Sequence, residues 1–116
     1  MCEGSEEYLD KVTAYFNKIA EEYDKKQIDE ILSCDELYYY VRDRIEWYYI
    51  EKYLPKKGIV LDVAGGTGRL TIPIALRGLK VVLIDISEGM LKVAREKVKE
   101  HGLEDKVIIK EAIFIR

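Results

Sequence analysis

Apolar residues keep a helical rhythm over the first half of the chain and a strand rhythm after residue 58. Tyr8, Val12, Phe16, Ile19 and Tyr23 recur at three- and four-residue spacing, which predicts an amphipathic helix with one buried stripe. Ser5, followed by Glu6 and Glu7, reads as its cap, because a hydroxyl satisfies free amides and acids suit the positive helix end. A second helix is predicted from Asp35 to Tyr53, with Leu37, Val41, Ile45 and Tyr48 on one face. Tyr38–Tyr40 and Trp47–Tyr49 spread aromatic side chains around it, so it is expected to pack on more than one side.

The pattern changes past Pro55-Lys-Lys-Gly58. Ile59–Leu61 with Val63 is a short apolar run suited to a strand buried on both faces. Gly65-Gly-Thr-Gly68 interrupts it, Leu70–Leu76 resumes as a helix stopped by Gly78, and Pro73 predicts an irregular start to that helix. Val81–Ile84 is a second buried strand. Ser87 caps a further helix with Leu91, Ala94 and Val98 as its stripe and Gly102 as its stop. Lys106–Lys110 is the third strand. Strand, helix, strand, helix, strand at this spacing implies right-handed crossovers and a parallel α/β sheet. The expected organisation is a helical cap over residues 1–57 and a ligand-binding α/β unit over residues 58–116.

Composition narrows the function classes. The chain has 116 residues, 48% apolar and 35% charged, which describes a soluble globular protein rather than a disordered or membrane one. A formal charge of −3 with interleaved signs gives no footprint for nucleic acid. No apolar run approaches the ~20 residues of a membrane span. The acidic start lacks a signal-peptide core, and Cys2 and Cys34 fit no metal spacing, so a reducing cytoplasm is expected. His101 is the single histidine, which leaves no metal site, and beside Gly102 it reads as a helix C-terminal residue.

The chemistry-bearing residues converge on the carboxyl ends of the strands, where open parallel sheets bind ligands. Asp62-Val-Ala-Gly-Gly-Thr-Gly68 follows the first strand, Asp85 the second, and Glu111-Ala112 the third. Glycines permit tight turning and close backbone approach, and helix amides beyond Gly68 favour a carboxylate or phosphate. Asp85 lies 19 positions after Gly66, the reach of a carboxylate that holds ribose hydroxyls. Together these indicate a nucleoside-containing cofactor. Gly66-x-Gly68-x-x-Thr71 fails the third position of the dinucleotide fingerprint. Asp62 would also repel a pyrophosphate but suit the ammonium and sulfonium of S-adenosylmethionine; a carboxylate that only ties down its own loop is the competing reading.

Val60-Leu-Asp-Val-Ala-Gly-Gly-Thr-Gly68 resembles the first motif of class I S-adenosylmethionine-dependent methyltransferases, with Ala64 where the family usually carries glycine. In its Asp-Val-Ala-Gly-Gly-Thr-Gly form it is especially similar to the ubiquinone/menaquinone C-methyltransferases. Asp85-Ile-Ser-Glu-Gly-Met-Leu-Lys-Val-Ala94 resembles the second motif, and Phe16-Asn-Lys-Ile-Ala-Glu-Glu-Tyr-Asp24 an upstream segment of the same group. The resemblance implies the first half of a Rossmann-like methyltransferase fold, preceded by two helices and without strands four to seven. It implies that Ala64, Gly65 and Gly66 hold the methionine moiety, Asp85 the ribose, Ile86 and Met90 the adenine, and that Tyr23 closes over the cofactor. Glu111 would meet the adenine amino group, although Lys-Glu-Ala stands where the family often has Gly-Asp-Ala.

Two consequences follow from the resemblance. The family's acceptor contacts come largely from later strands, so neither a catalytic base nor a methyl acceptor is assigned. The first strand is central in the family sheet, and nothing in this sequence pairs with its other edge. A fragment or truncated reading frame, a homodimer that covers the edge, or a second polypeptide supplying the other half are the three explanations. The expected function is S-adenosylmethionine binding and methyl transfer, with a non-catalytic cofactor-binding module or a dinucleotide-binding oxidoreductase fragment as alternatives.

Overall fold

A computed structural model describes residues 3–29 and 34–112. Two helices, α1 (Glu3–Asp29) and α2 (Cys34–Tyr53), precede β1 (Ile59–Val63), α3 (Thr71–Leu76), β2 (Lys80–Asp85), α4 (Glu88–Glu100) and β3 (Val107–Glu111). The three strands form one parallel sheet in the order β1-β2-β3. Val60 pairs with Val81, and Val81 with Val107. The expected α/β crossover architecture is therefore present, with β1 at an edge.

Period-two alternation decides which strand residues meet the helices. Val60, Asp62, Val81, Leu83, Asp85 and Val107 share the covered face, because they lie in register at alternate positions. Val81, Leu83, Leu91 and Ala94 are fully buried there. Ile72, Ile74 and Ala75 of α3 and Val98 of α4 complete the core. Ser87 caps α4 by accepting from the Met90 amide at 3.2 Å, as its sequence position predicts. His101 sits at the C-cap of α4 with Nδ1 2.8 Å from the Lys97 carbonyl oxygen. Leu70 stands before α3 without a side-chain cap, and consecutive turns over Gly66–Leu70 give the irregular entry expected near Pro73.

Several expectations need correction. β1 is not buried on both faces: Ile59, Leu61 and Val63 are exposed, because no described element covers that side of the sheet. The predicted face of α2 also points the wrong way. Val41, Ile45 and Tyr48 are exposed, whereas Trp47, Ile50 and Leu54 pack on the core; Leu37 lies outside the described side chains. Nor does α2 pack on several sides, since Tyr38, Tyr40, Tyr49 and Tyr53 are all exposed. Its inward face was disguised by acids that pair with basic side chains of the α/β unit. α1 begins at Glu3, so Ser5 lies within its first turn rather than at the cap, and Tyr8 is exposed.

Candidate functional site

Asp62 and Asp85 share the covered sheet face two register positions apart, and both sit at the carboxyl ends of their strands. The chain after β1 turns back at once. The Gly65 amide donates to the Ile84 carbonyl at 3.3 Å, and the Gly68 amide to the Gly65 carbonyl at 3.0 Å. Ala64 and Gly66 both adopt φ 59°, in the left-handed region. Gly65 is required by space: a Cβ there would fall 1.9 Å from Leu83 Cδ1 and 2.7 Å from Asp62 Oδ2. This close approach lets the loop fold down over the Asp62 carboxyl.

Asp85 ties the site together. Its Oδ2 accepts from the Gly66 amide and its Oδ1 from the Ser87 amide, each at 2.9 Å. The glycine loop and the entry to α4 are thus both anchored on one buried carboxylate. Each oxygen retains a further lone pair for a ligand hydroxyl. Asp62 is held differently. Thr71 Oγ1 donates to its Oδ2 at 2.6 Å. Burial pushes the Asp62 carboxyl above the usual carboxylate range, helped by the nearby Asp85 charge; the Thr71 hydrogen bond and Arg69 pull the other way. A half-buried carboxylate beside a second one fits a ligand that brings positive charge.

These groups line a cavity of about 450 Å³. Its walls include Asp62, Ala64, Gly65, Gly66, Asp85, Ile86 and Met90, together with Tyr23 from α1. Eight of the nine residues singled out from sequence therefore meet in one place. Glu111 does not line the cavity: it is exposed at the end of β3, in register with Asp85. Strand alternation puts Glu111 on the same sheet face as Asp85, one strand further from the glycine loop.

Sequence reading did not single out the remaining lining residues, among them four from α1, α2 and the loop before α3. Val12 and Phe16 of α1 join Tyr23 on the wall, although they were expected only as a packing stripe. Glu46 and Arg69 line the opposite end. Arg69 reaches α2 through Asp43 at 3.2 Å and Glu46 at 3.3 Å. No local signal marks such a pairing, since its partners lie more than twenty residues apart. Among the described residues no cluster of potential metal ligands occurs, and no helix is long and apolar enough to cross a membrane.

Comparison with known proteins places this geometry. The family model described as the ubiE/COQ5 methyltransferase family matches residues 3–112. A demethylmenaquinone methyltransferase of Bacteroides fragilis is 36% identical over 100 residues, covering 84% of this chain and 38% of its own length. A ubiquinone/menaquinone biosynthesis C-methyltransferase UbiE of Shewanella sediminis is 35% identical over 103 residues, covering 85% of this chain and 38% of its own. The chain thus spans about two fifths of these relatives. Among solved structures, the protein of the DhpI–SAH complex is 25% identical with a TM-score of 0.59, over 90% of this chain and 44% of that one. The 4+2 cyclase SpnF is likewise 25% identical, with a TM-score of 0.55 over 61% of this chain and 27% of that one.

Proposed function

Because the chain belongs to the ubiE/COQ5 methyltransferase family, we propose that its cavity is an S-adenosylmethionine site and that it serves methyl transfer. The observation that carries this reading is the pairing of Asp62 with Asp85 beneath a glycine loop. Burial raises the Asp62 carboxyl above its ordinary range, and an ammonium brought beside it would favour its charged form. The Ala64–Gly66 backbone, bent by left-handed residues, faces the same space and suits the amino-acid end of the ligand. The free lone pairs of Asp85 suit the ribose hydroxyls, and Ile86 and Met90 offer apolar contact for the base. Tyr23 and Phe16 close the wall from α1. Glu111, in register with Asp85 but outside the cavity lining, is the least supported of the expected contacts.

When bound, the sulfonium supplies an activated methyl group for attack by an acceptor nucleophile. This chain's own contribution is to hold the donor in one orientation and to exclude water from it. The relatives named for demethylmenaquinone and ubiquinone/menaquinone biosynthesis make a quinone-type ring the acceptor class to try first. The same scaffold also carries a cyclase by name, and fold alone does not choose chemistry. A cofactor-binding module without transfer is therefore the second reading. The apolar side of β1 that the described residues leave uncovered suits a further contact there, from a second copy, another polypeptide or more of a longer chain.

Calorimetric titration of the chain with S-adenosylmethionine and, separately, NAD tests the cofactor. Saturable binding of the sulfonium compound with no heat from NAD is expected. The reverse preference would make the crevice a dinucleotide site. Binding without turnover, on demethylated quinones or other acceptors, would leave the non-catalytic module.

A further inference from the structure

α1 supplies Val12, Phe16 and Tyr23 to the cavity, yet belongs to neither apolar cluster of the α/β unit. It packs on α4. The contact point is specific. Asn17 Oδ1 accepts from the Gly89 amide at 2.8 Å and from the Ser87 hydroxyl. Ser87 is fully buried, and its own amide donates to Asp85. One side-chain oxygen on α1 thus ends a chain of hydrogen bonds that runs through Ser87 and Asp85 to the Gly66 amide.

The backbone approach is close enough to demand glycine. A Cβ on Gly89 would lie 2.8 Å from Asn17 Cα, 3.0 Å from its Oδ1 and 3.1 Å from its carbonyl oxygen. Two of these three atoms are backbone, so α1 as a whole would have to move. Gly89 thus sits one residue inside α4, where glycine has no other evident use. Asn17 is otherwise exposed on its helix, which offers no packing reason for an amide there. Its oxygen also meets the amides of the α4 N-terminus, where a partial negative charge is favoured.

Building on the S-adenosylmethionine reading of the cavity, we infer that Asn17 and Gly89 form a clasp that holds α1 closed as the cofactor's lid. Asn17 is a positioning residue: it touches no ligand atom, and it fixes Phe16 and Tyr23 over the site through Ser87 and Gly89. Release of the clasp opens the Val12–Tyr23 wall without disturbing the sheet.

The test compares Asn17→Ala, Asn17→Asp and Gly89→Ala with the unaltered chain. Alanine keeps the helix and removes the acceptor, while aspartate keeps an acceptor oxygen for both donors. Hydrogen exchange of the ligand-free proteins is followed at amides 12–23 of α1 and 81–84 of β2, and S-adenosylmethionine and S-adenosylhomocysteine affinities by calorimetry. Asn17→Ala and Gly89→Ala are expected to speed α1 exchange and weaken both ligands about tenfold, the scale of one lost hydrogen bond. Asn17→Asp is expected to stay within about twofold of the unaltered chain, with β2 exchange unchanged in all three. Unchanged α1 exchange in both alanine variants overturns the clasp, as does failure of aspartate to restore it. Opened exchange with unaltered affinity overturns the lid. If the unaltered chain binds neither ligand, the cofactor reading fails, and exchange alone decides whether the clasp exists.

Discussion

Ala64 is the residue at which the chain departs from its family's usual glycine, and it adopts φ 59°. The left-handed region costs an L-residue about 1–2 kcal/mol, partly offset because alanine orders less chain entropy than glycine, about 0.4–1 kcal/mol. Ala64→Gly should therefore raise stability by about 0.5–1 kcal/mol in urea unfolding, with cofactor affinity unchanged. Asp85 carries a double load. Asp85→Ala removes an acceptor from the Gly66 and Ser87 amides as well as from the ribose. A loss of a few kcal/mol in binding is expected, at about 1.5–3 per charge-assisted bond, together with a lowered melting temperature of the ligand-free chain. Unchanged affinity in the molecules that remain folded would place the ligand elsewhere. Asp62 gives a pH signature. Its folded carboxyl titrates above the ordinary value of 3.8, with burial the largest cause. The folded state therefore holds the extra proton between the two values. The stability this contributes is complete below 3.8 and is lost as pH rises through the folded value. Ligand affinity should run the other way, falling as acid protonates Asp62, with a proton released on binding in that window. Asp62→Asn is expected to flatten both profiles, measured by calorimetry and by denaturation across pH.

At the scale of elements, α2 shows how charge sets which face is buried. Asp43 and Glu46 pair with Arg69, and Glu51 with Arg77, which also lies 4.4 Å over the Trp47 ring. These contacts turn an acidic, aromatic flank inward and leave Val41, Ile45 and Tyr48 outside. Arg77→Ala should cost about 1 kcal/mol, from a partly exposed cation–π contact and a surface ion pair together. Ile45→Ser on the outward face should change urea stability by less than about 0.5 kcal/mol. Equal losses at both positions would show the helix packed by its other face. α4 behaves as its pattern predicts, because its buried stripe of Leu91, Ala94 and Val98 and the polar contacts at its N-terminus favour the same rotation.

At the scale of the whole molecule, the described residues cover the sheet on one side and leave the other bare. Ile59, Leu61, Val63 and Ile108 are more than half exposed on the bare side, and β1 offers an unpaired edge. An apolar sheet face and strand edge of this kind favour further contacts. Leu61→Lys is expected to leave the chain folded and lower its apparent mass in light scattering at high concentration. Unfolding by the same substitution would mean that the face is covered in the protein in solution.

Much of this protein was determined by sequence alone. Apolar runs of strand length, the glycine loop and the caps of α4 specify the crossover unit, because each is a local preference that tertiary packing reinforces. The motif spacing also brings eight of nine expected residues to one cavity, since register and alternation carry Asp62 and Asp85 to the same face. Tertiary structure decided the rest. The rotation of α2 depends on ion pairs between residues 23 to 26 positions apart. Glu111 ends β3 in register with Asp85 but outside the cavity lining. Asn17 meets Ser87 and Gly89 across 70 and 72 positions of chain. Contacts of that range leave no periodic trace, because each depends on where two folded elements cross rather than on the preferences of either.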